Sequence, residues 1–147
     1  MAAINYYEIE LQIKAVLAAF AGLAGIRMAD PEILPSFDPM SGDSVFIYLE
    51  NENCPDDLQR LRAGTSTDSY LTFSIWCFAW HMDSVSLASK ARNDLRGQVA
   101  LALMGNRTLN GTVITSWISG GRFNRLEDNG FWSGGELILT AHAQAVT

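Results

Sequence analysis

The sequence predicts an α+β fold, a mostly antiparallel four-stranded sheet with two amphipathic helices packed on one face. Three observations predict it. Apolar residues recur at three- and four-residue steps over about 5–25 and 84–104. Over 70–80 every odd position is apolar, the period of a strand. The elements follow in the order helix, strand, strand, helix, strand, strand, so two apolar helix stripes need one apolar sheet face to bury them. At 147 residues, with 48% apolar and 18% charged, the chain 1–147 has room for one domain and is too apolar to be disordered.

In chain order, Asn5 is placed to cap a helix running to about Gly25, with Ile9, Ile13, Val16, Leu17, Phe20 and Leu23 in one stripe. Gly25 suits the left-handed residue that ends such a helix. The segment 26–44 holds Pro31, Pro35, Pro39 and Gly42 and reads as an irregular connection. Val45–Leu49 is a short apolar strand, followed by an acidic loop, ENENCPDD. Positions 58–67 fit no element. Tyr70–Trp80 is the clearest strand. Asp83 or Ser84 then caps a helix to about Met104, with Ala88, Ala91, Leu95, Val99, Ala102 and Leu103 inward. Its residues Lys90, Arg92, Asn93, Asp94 and Arg96 fall mostly outward. Gly105 and Asn106 stop it. Strands follow at about 112–118 and 136–143, separated by a glycine-rich segment, 119–135, expected to form a protruding hairpin or loop.

Ten basic and 16 acidic residues give a net charge of −6, which argues against a nonspecific nucleic-acid binder. The charge is uneven: residues 1–57 carry ten acids and two basic residues, whereas residues 58–147 carry six acids and eight basic ones. A two-signed molecule of this kind is suited to stacking edge to edge with copies of itself. Ala15–Ile26 is apolar over twelve residues, short of the roughly 20 a bilayer helix needs. Glu8 and Glu10 precede it where a secretory leader carries positive charge, so it reads as a domain helix. Cys54 and Cys77, without a CxxC spacing, suit a reduced cytoplasmic setting.

Catalytic and ligand motifs are sparse. His81, Asp83 and Ser84 lie together, but at a strand-to-helix junction where Asp and Ser serve as caps, and no GxSxG elbow is present. His142 reads as a half-exposed strand residue. No metal or cofactor is expected: two histidines and two distant cysteines lack ligand spacing, and the acids 50–57 lack the pattern of a calcium loop. The pairs Gly120-Gly121 and Gly134-Gly135 read as turns, as does Asn110-Gly111. The aromatic end of the clearest strand is more informative. Trp76, Phe78 and Trp80 point away from the face expected to take the helices, and Phe46, Tyr48 and Trp117 are placed to join them. Rings of this size in water favour association. Two covers are open, a second copy of the chain or the segment 26–44 folded back.

The chain resembles the tail terminator (tail tube terminator) proteins of long-tailed bacteriophages. The resemblance rests on a leading helix with a proline-broken connection (IRMADPEILPSFDP), a long strand running into an alanine-rich helix (YLTFSIWCFAWHMDSVSLASKARNDLRGQVALAL), and a closing segment (RLEDNGFWSGGELILTAHA). It implies a non-enzymatic virion protein forming a six-membered ring at the tail-neck junction, assembled in the host cytoplasm. Such a ring caps the tail tube, stops its elongation and joins the head-connector complex, while genomic DNA passes through the bore without specific binding. Its expected partners are itself, the tail tube protein and the connector, with no membrane. The candidate subunit interface is Trp76, Phe78, Trp80, Phe46 and Tyr48; the candidate bore or axial acidic loop is Glu50, Glu52, Asp56 and Asp57. A head-closure or stopper protein is the alternative, and a small hydrolase using His81 and Asp83 a more distant one.

Overall fold

A computed structural model describes residues 3–35, 42–54, 66–81, 84–125 and 132–146. In chain order these form helix α1 (Tyr6–Ala19), a 3-10 turn (Ala21–Leu23), strands β1 (Arg27–Met28), β2 (Ser44–Asn53) and β3 (Ser66–Trp80), helix α2 (Val85–Met104), and strands β4 (Thr115–Arg125) and β5 (Trp132–Val146). Among the described residues the strands make a five-stranded sheet in the order β1-β2-β3-β5-β4. The α+β class stands, but the sheet is not the expected four antiparallel strands. It is mixed, because β1 runs parallel to β2 within the connection 26–44, while the other pairings are antiparallel. A strand with two paired residues is too short to show a period in sequence.

Both helices start where the sequence places them. The Asn5 side chain accepts from Glu8 N at 3.0 Å, and the Ser84 hydroxyl from Leu87 N at 3.0 Å. Each such cap stabilises its helix by about 1 kcal/mol. Asp83 lies outside the described residues. Helix α1 stops at Ala19 rather than near Gly25, because Phe20 turns extended and the 3-10 turn drops Leu23 into the core. Gly22 sits against α2, where a Cβ would strike the Gln98 side chain.

One core joins the two helices to the sheet. Ile9, Ile13 and Leu17 of α1 and Leu95, Val99 and Leu103 of α2 pack with Leu71, Phe73, Ile75 and Cys77 of β3 and with Leu137, Leu139 and Ala141 of β5. Both helices therefore cover the face that bears the odd residues of β3. Each large side chain buried there contributes about 1.5–3 kcal/mol. Burial also pushes the Cys77 thiol up to about 12, so it remains a neutral core group. Among the described residues no helix is long and apolar enough to cross a membrane.

The glycine-rich region departs most from expectation. Gly120, Gly121, Gly134 and Gly135 are not turns: they lie within β4 and β5, which form a hairpin extending to Arg125 and from Trp132. Gly130 and the rest of 126–131 lie outside the described residues. The expected strands 112–118 and 136–143 thus become Thr115–Arg125 and Trp132–Val146. Two of these glycines make room for α2. The stems of Arg92 and Arg96 lie 3.3 and 3.4 Å from where a Cβ on Gly135 would stand, and a Cβ on Gly121 would strike Arg96 and the Glu136 carbonyl. Arg92 is accordingly buried and Arg96 half-buried, against their expected outward placement; Lys90, Asn93 and Asp94 do face out.

Two further boundaries move. Strand β2 runs on to Asn53 with a bulge between Leu49 and Asn51, so Glu50 and Glu52 are strand residues and not part of a loop. Strand β3 begins at Ser66, inside the unassigned 58–67; positions 58–65 lie outside the described residues. After α2, Asn110-Gly111 does make a tight turn, with φ of 59° and 84°.

Gly121→Ala is expected to cost about 1–3 kcal/mol, because its methyl meets a backbone carbonyl in a filled layer. Gly120→Ala, whose Cβ has nothing within 4 Å, stays within about 0.5 kcal/mol of the parent protein. Urea denaturation of the two variants checks the contrast.

Candidate assembly surface

The second face of the sheet carries the predicted rings, in three layers of accessibility. Phe46 of β2 and Phe78 of β3 are 1% and 7% exposed and meet edge to face at 5.7 Å. They form a small cluster with Ala29, which follows β1 and covers them from the segment 26–44. Arg27 lies 5.9 Å over the Phe46 ring. Trp76 stacks on Phe78 at 5.8 Å and, with Trp80 and Tyr48, is half-buried at the margin of the cluster. Gly134 lies opposite Phe78 in β5, and a Cβ there would stand 2.7 Å from the Phe78 ring. The five candidate interface residues are therefore together on one face, two beneath and three presented.

Beside them the face turns polar. Glu136 of β5, 5% exposed, accepts from the Ser74 hydroxyl and from Arg122 Nε at 3.0 Å. The same guanidinium lies 5.6 Å over Trp76, so one arginine neutralises a buried carboxylate and roofs a tryptophan. Farther along, His142 stacks on Tyr70 at 4.9 Å and shares a 3.0 Å contact with Asp68. Trp117 of β4 meets Tyr70 edge to face at 6.2 Å and remains 40% exposed. His142 is thus half-exposed on a strand, as expected.

The candidate acidic residues Glu50 and Glu52 are exposed at the end of β2, where Glu52 accepts from the Tyr6 hydroxyl at 2.6 Å. Asp56 and Asp57 lie outside the described residues, as does Asp83 of the hydrolase alternative. His81 is half-buried just after β3, and the Ser84 hydroxyl is engaged as a helix cap. Among the described residues no group of three or more His, Cys, Asp or Glu could hold a metal ion.

The fold is shared with a component of an assembled particle. A chain of the virion of a native gene transfer agent (GTA) particle is similar over 95% of this chain and 98% of that one, with a TM-score of 0.59 and 17% identity. The sheath/tube terminator of an extracellular contractile injection system (PVC, extended state) overlaps 97% of this chain but 58% of its own length, with a TM-score of 0.48 and 18% identity. No protein-family model matches the sequence, and no curated protein matches it.

Two features escaped the sequence reading. Phe123 of β4 takes the guanidinium groups of Arg92 and Arg96 over its ring, at 4.9 and 4.5 Å from its centroid, although 52% exposed. Arg92 also donates to the Ser133 hydroxyl at 2.8 Å. The paired strand glycines were the available signal, since an element with no side chains on one face leaves space for long ones from another. The second feature is Glu10. It lies on the inner side of α1, 4% exposed, facing Glu32, and its Oε2 has no hydrogen-bond partner among the described residues. Glu32, held at a φ of 66°, accepts from Leu49 N at 2.9 Å.

Burial first, then the hydrogen bond and charge of Glu32, raise the Glu10 carboxyl from 4.5 to about 8. A folded-state value above the unfolded one means that its stabilising contribution is complete below pH 4.5 and is lost as pH rises to about 8. Glu10→Gln should therefore flatten the fall of thermal midpoint across that window, and a midpoint series against pH for both proteins checks it.

Proposed function

We propose that this chain is a structural, non-enzymatic virion protein of a phage tail or tail-like particle. Its specific role is that of a ring-forming tail terminator at the tail-neck junction. The observation that carries the reading is the end-to-end likeness of fold to a chain of a gene transfer agent virion. That likeness runs over almost the whole length of both chains.

The surface supports the reading physically. A sheet with helices on one side and half-buried tryptophans on the other has apolar area to give to a neighbour. Trp76, Trp80 and Tyr48 are the presented residues, and Phe46 and Phe78 hold them from beneath. Symmetric closure into a hexamer caps the tube by occupying the sites where the next tube ring would add. The opposite side of the ring then meets the head connector. Glu50, Glu52, Asp56 and Asp57 suit a bore or an axial contact, since carboxylates repel passing phosphate and keep DNA from adhering.

Purified protein added to polymerising tail tube protein should stop tubes at the length present on addition, as seen by electron microscopy. Tubes that continue to grow would overturn the terminator role, and a protein that joined heads without capping tubes would be a head-closure protein instead. Trp80→Ala should weaken self-association by tenfold or more, about what loss of a buried indole anchor costs. Light scattering across a concentration series measures it, and an unchanged ring mass would remove Trp80 from the interface.

A further inference from the structure

The two flanks of the sheet are unlike. At one, β4 is terminal over Thr115–Arg125, and among the described residues no strand pairs with its outer edge. That edge is interrupted by a bulge between Ile118 and Gly120, and among the described residues its Thr115–Ile118 stretch is left open. It carries the exposed indole of Trp117, and beside it a shallow hollow is lined by Leu103, Met104, Arg107, Ser116, Trp117 and Ile118. Arg107 is exposed, its carbonyl tied to the Ser116 hydroxyl at 2.8 Å. Arg122, farther along the same strand, turns instead over Trp76 and Glu136 and leaves Arg107 as the cation of this flank. This flank is apolar and basic.

At the other flank, β2 is occupied along its first half. Ala29 N bonds to Val45 O at 3.0 Å, Glu32 N to Ile47 O at 3.0 Å, and Leu49 N to the Glu32 carboxylate. Beyond the bulge, among the described residues, Glu50–Asn53 has no strand on its outer side. Glu50 and Glu52 are exposed there, and Glu32 is exposed on the covering segment, where Asp30 is paired with Lys14. This flank is acidic, and Tyr48 of the same strand stands beside it on the aromatic face.

We infer that the β4 edge of one copy, with Trp117 and Arg107, seats on the acidic β2 flank of a second copy, at Glu50 and Glu52. Opposite charges attract across such a contact and fix its direction. The open backbone groups of β4 gain partners, and Trp117 leaves water against the aromatic margin of the neighbour. Because the two flanks differ, the contact is head to tail. Head-to-tail contacts repeat until the rotation closes a ring, or continue as a filament where it does not. The inference rests on the proposed function only in taking the partner to be a second copy; it names which flank meets which, and it assigns Glu50 and Glu52 to the contact between copies in place of the bore or axial position.

Sedimentation of the full chain at low ionic strength tests it with Arg107→Glu and Glu50→Arg. Each variant alone should associate about tenfold more weakly than the parent, since like charges then face each other. Mixing the two variants should restore association, because each then offers the flank that the other fits. In the assembled parent, amides of Thr115–Arg125 should gain protection from hydrogen exchange. Unchanged melting curves show that the variants fold. Variants that assemble like the parent, or a mixture that does not recover, overturn the flank assignment while leaving the ring intact. A parent chain that stays monomeric at every concentration, alone and with tail tubes, overturns the ring and the flank assignment together.

Discussion

The end of strand β3, from Ile75 to Trp80, is apolar on both of its faces, and the described helices cover only one of them. Leu71, Phe73 and Ile75 take the helices; Trp76, Phe78 and Trp80 are left to find other cover. The rest of the architecture answers that imbalance. The segment after the first helix runs alongside β2 so that Ala29 and Arg27 can lie over Phe46 and Phe78. Arg122 crosses from β4 onto Trp76. These are small covers for large rings, and they leave the margins of the aromatic face half-open.

Arginine is the residue the fold uses to manage that shortage of apolar cover. A guanidinium is weakly hydrated and planar, so it can lie on a ring while its N–H groups serve a carboxylate or carbonyl. Arg122 does both, on Trp76 and Glu136. Arg92 and Arg96 do the same for Phe123 on the helix side, bonding Ser133 and the Glu136 carbonyl. The strand glycines at 121 and 135 are the complement of this arrangement, since any side chain there would occupy the space of the arginine stems. The hairpin β4–β5 is thus held by charged side chains over rings at one end and by aliphatic packing at the other.

Glu10 and Glu32 show the opposite economy on the acidic side of the molecule. Two carboxyl groups meet where α1 lies against the segment leading into β2, and burial with the neighbouring Glu32 raises the Glu10 carboxyl to about 8. Protonation removes the repulsion and supplies a donor, and Glu32 keeps its bond to Leu49 N. The same segment therefore ties the first helix to the sheet and covers part of the aromatic face.

The sequence by itself determined the class of the fold, the identity of the core and the two helix starts, because these depend on local periodicity and on capping atoms within a few residues. Ile9, Ile13 and Leu17, or Leu71, Phe73 and Ile75, announce their common side without knowledge of the rest of the chain. Its aromatic face was legible for the same reason, although how far Phe46 and Phe78 are covered was not. Tertiary structure alone decided the fifth strand, the end of α1, the strand character of Gly120-Gly121 and Gly134-Gly135, and the burial of Arg92 and Glu10. Each of those depends on a partner far along the chain: β2 for β1, Gln98 for Gly22, the glycines for the arginines, Glu32 for Glu10. A one-dimensional pattern records which side a residue faces, but the space it faces into is made by another segment, and only folding brings the two together.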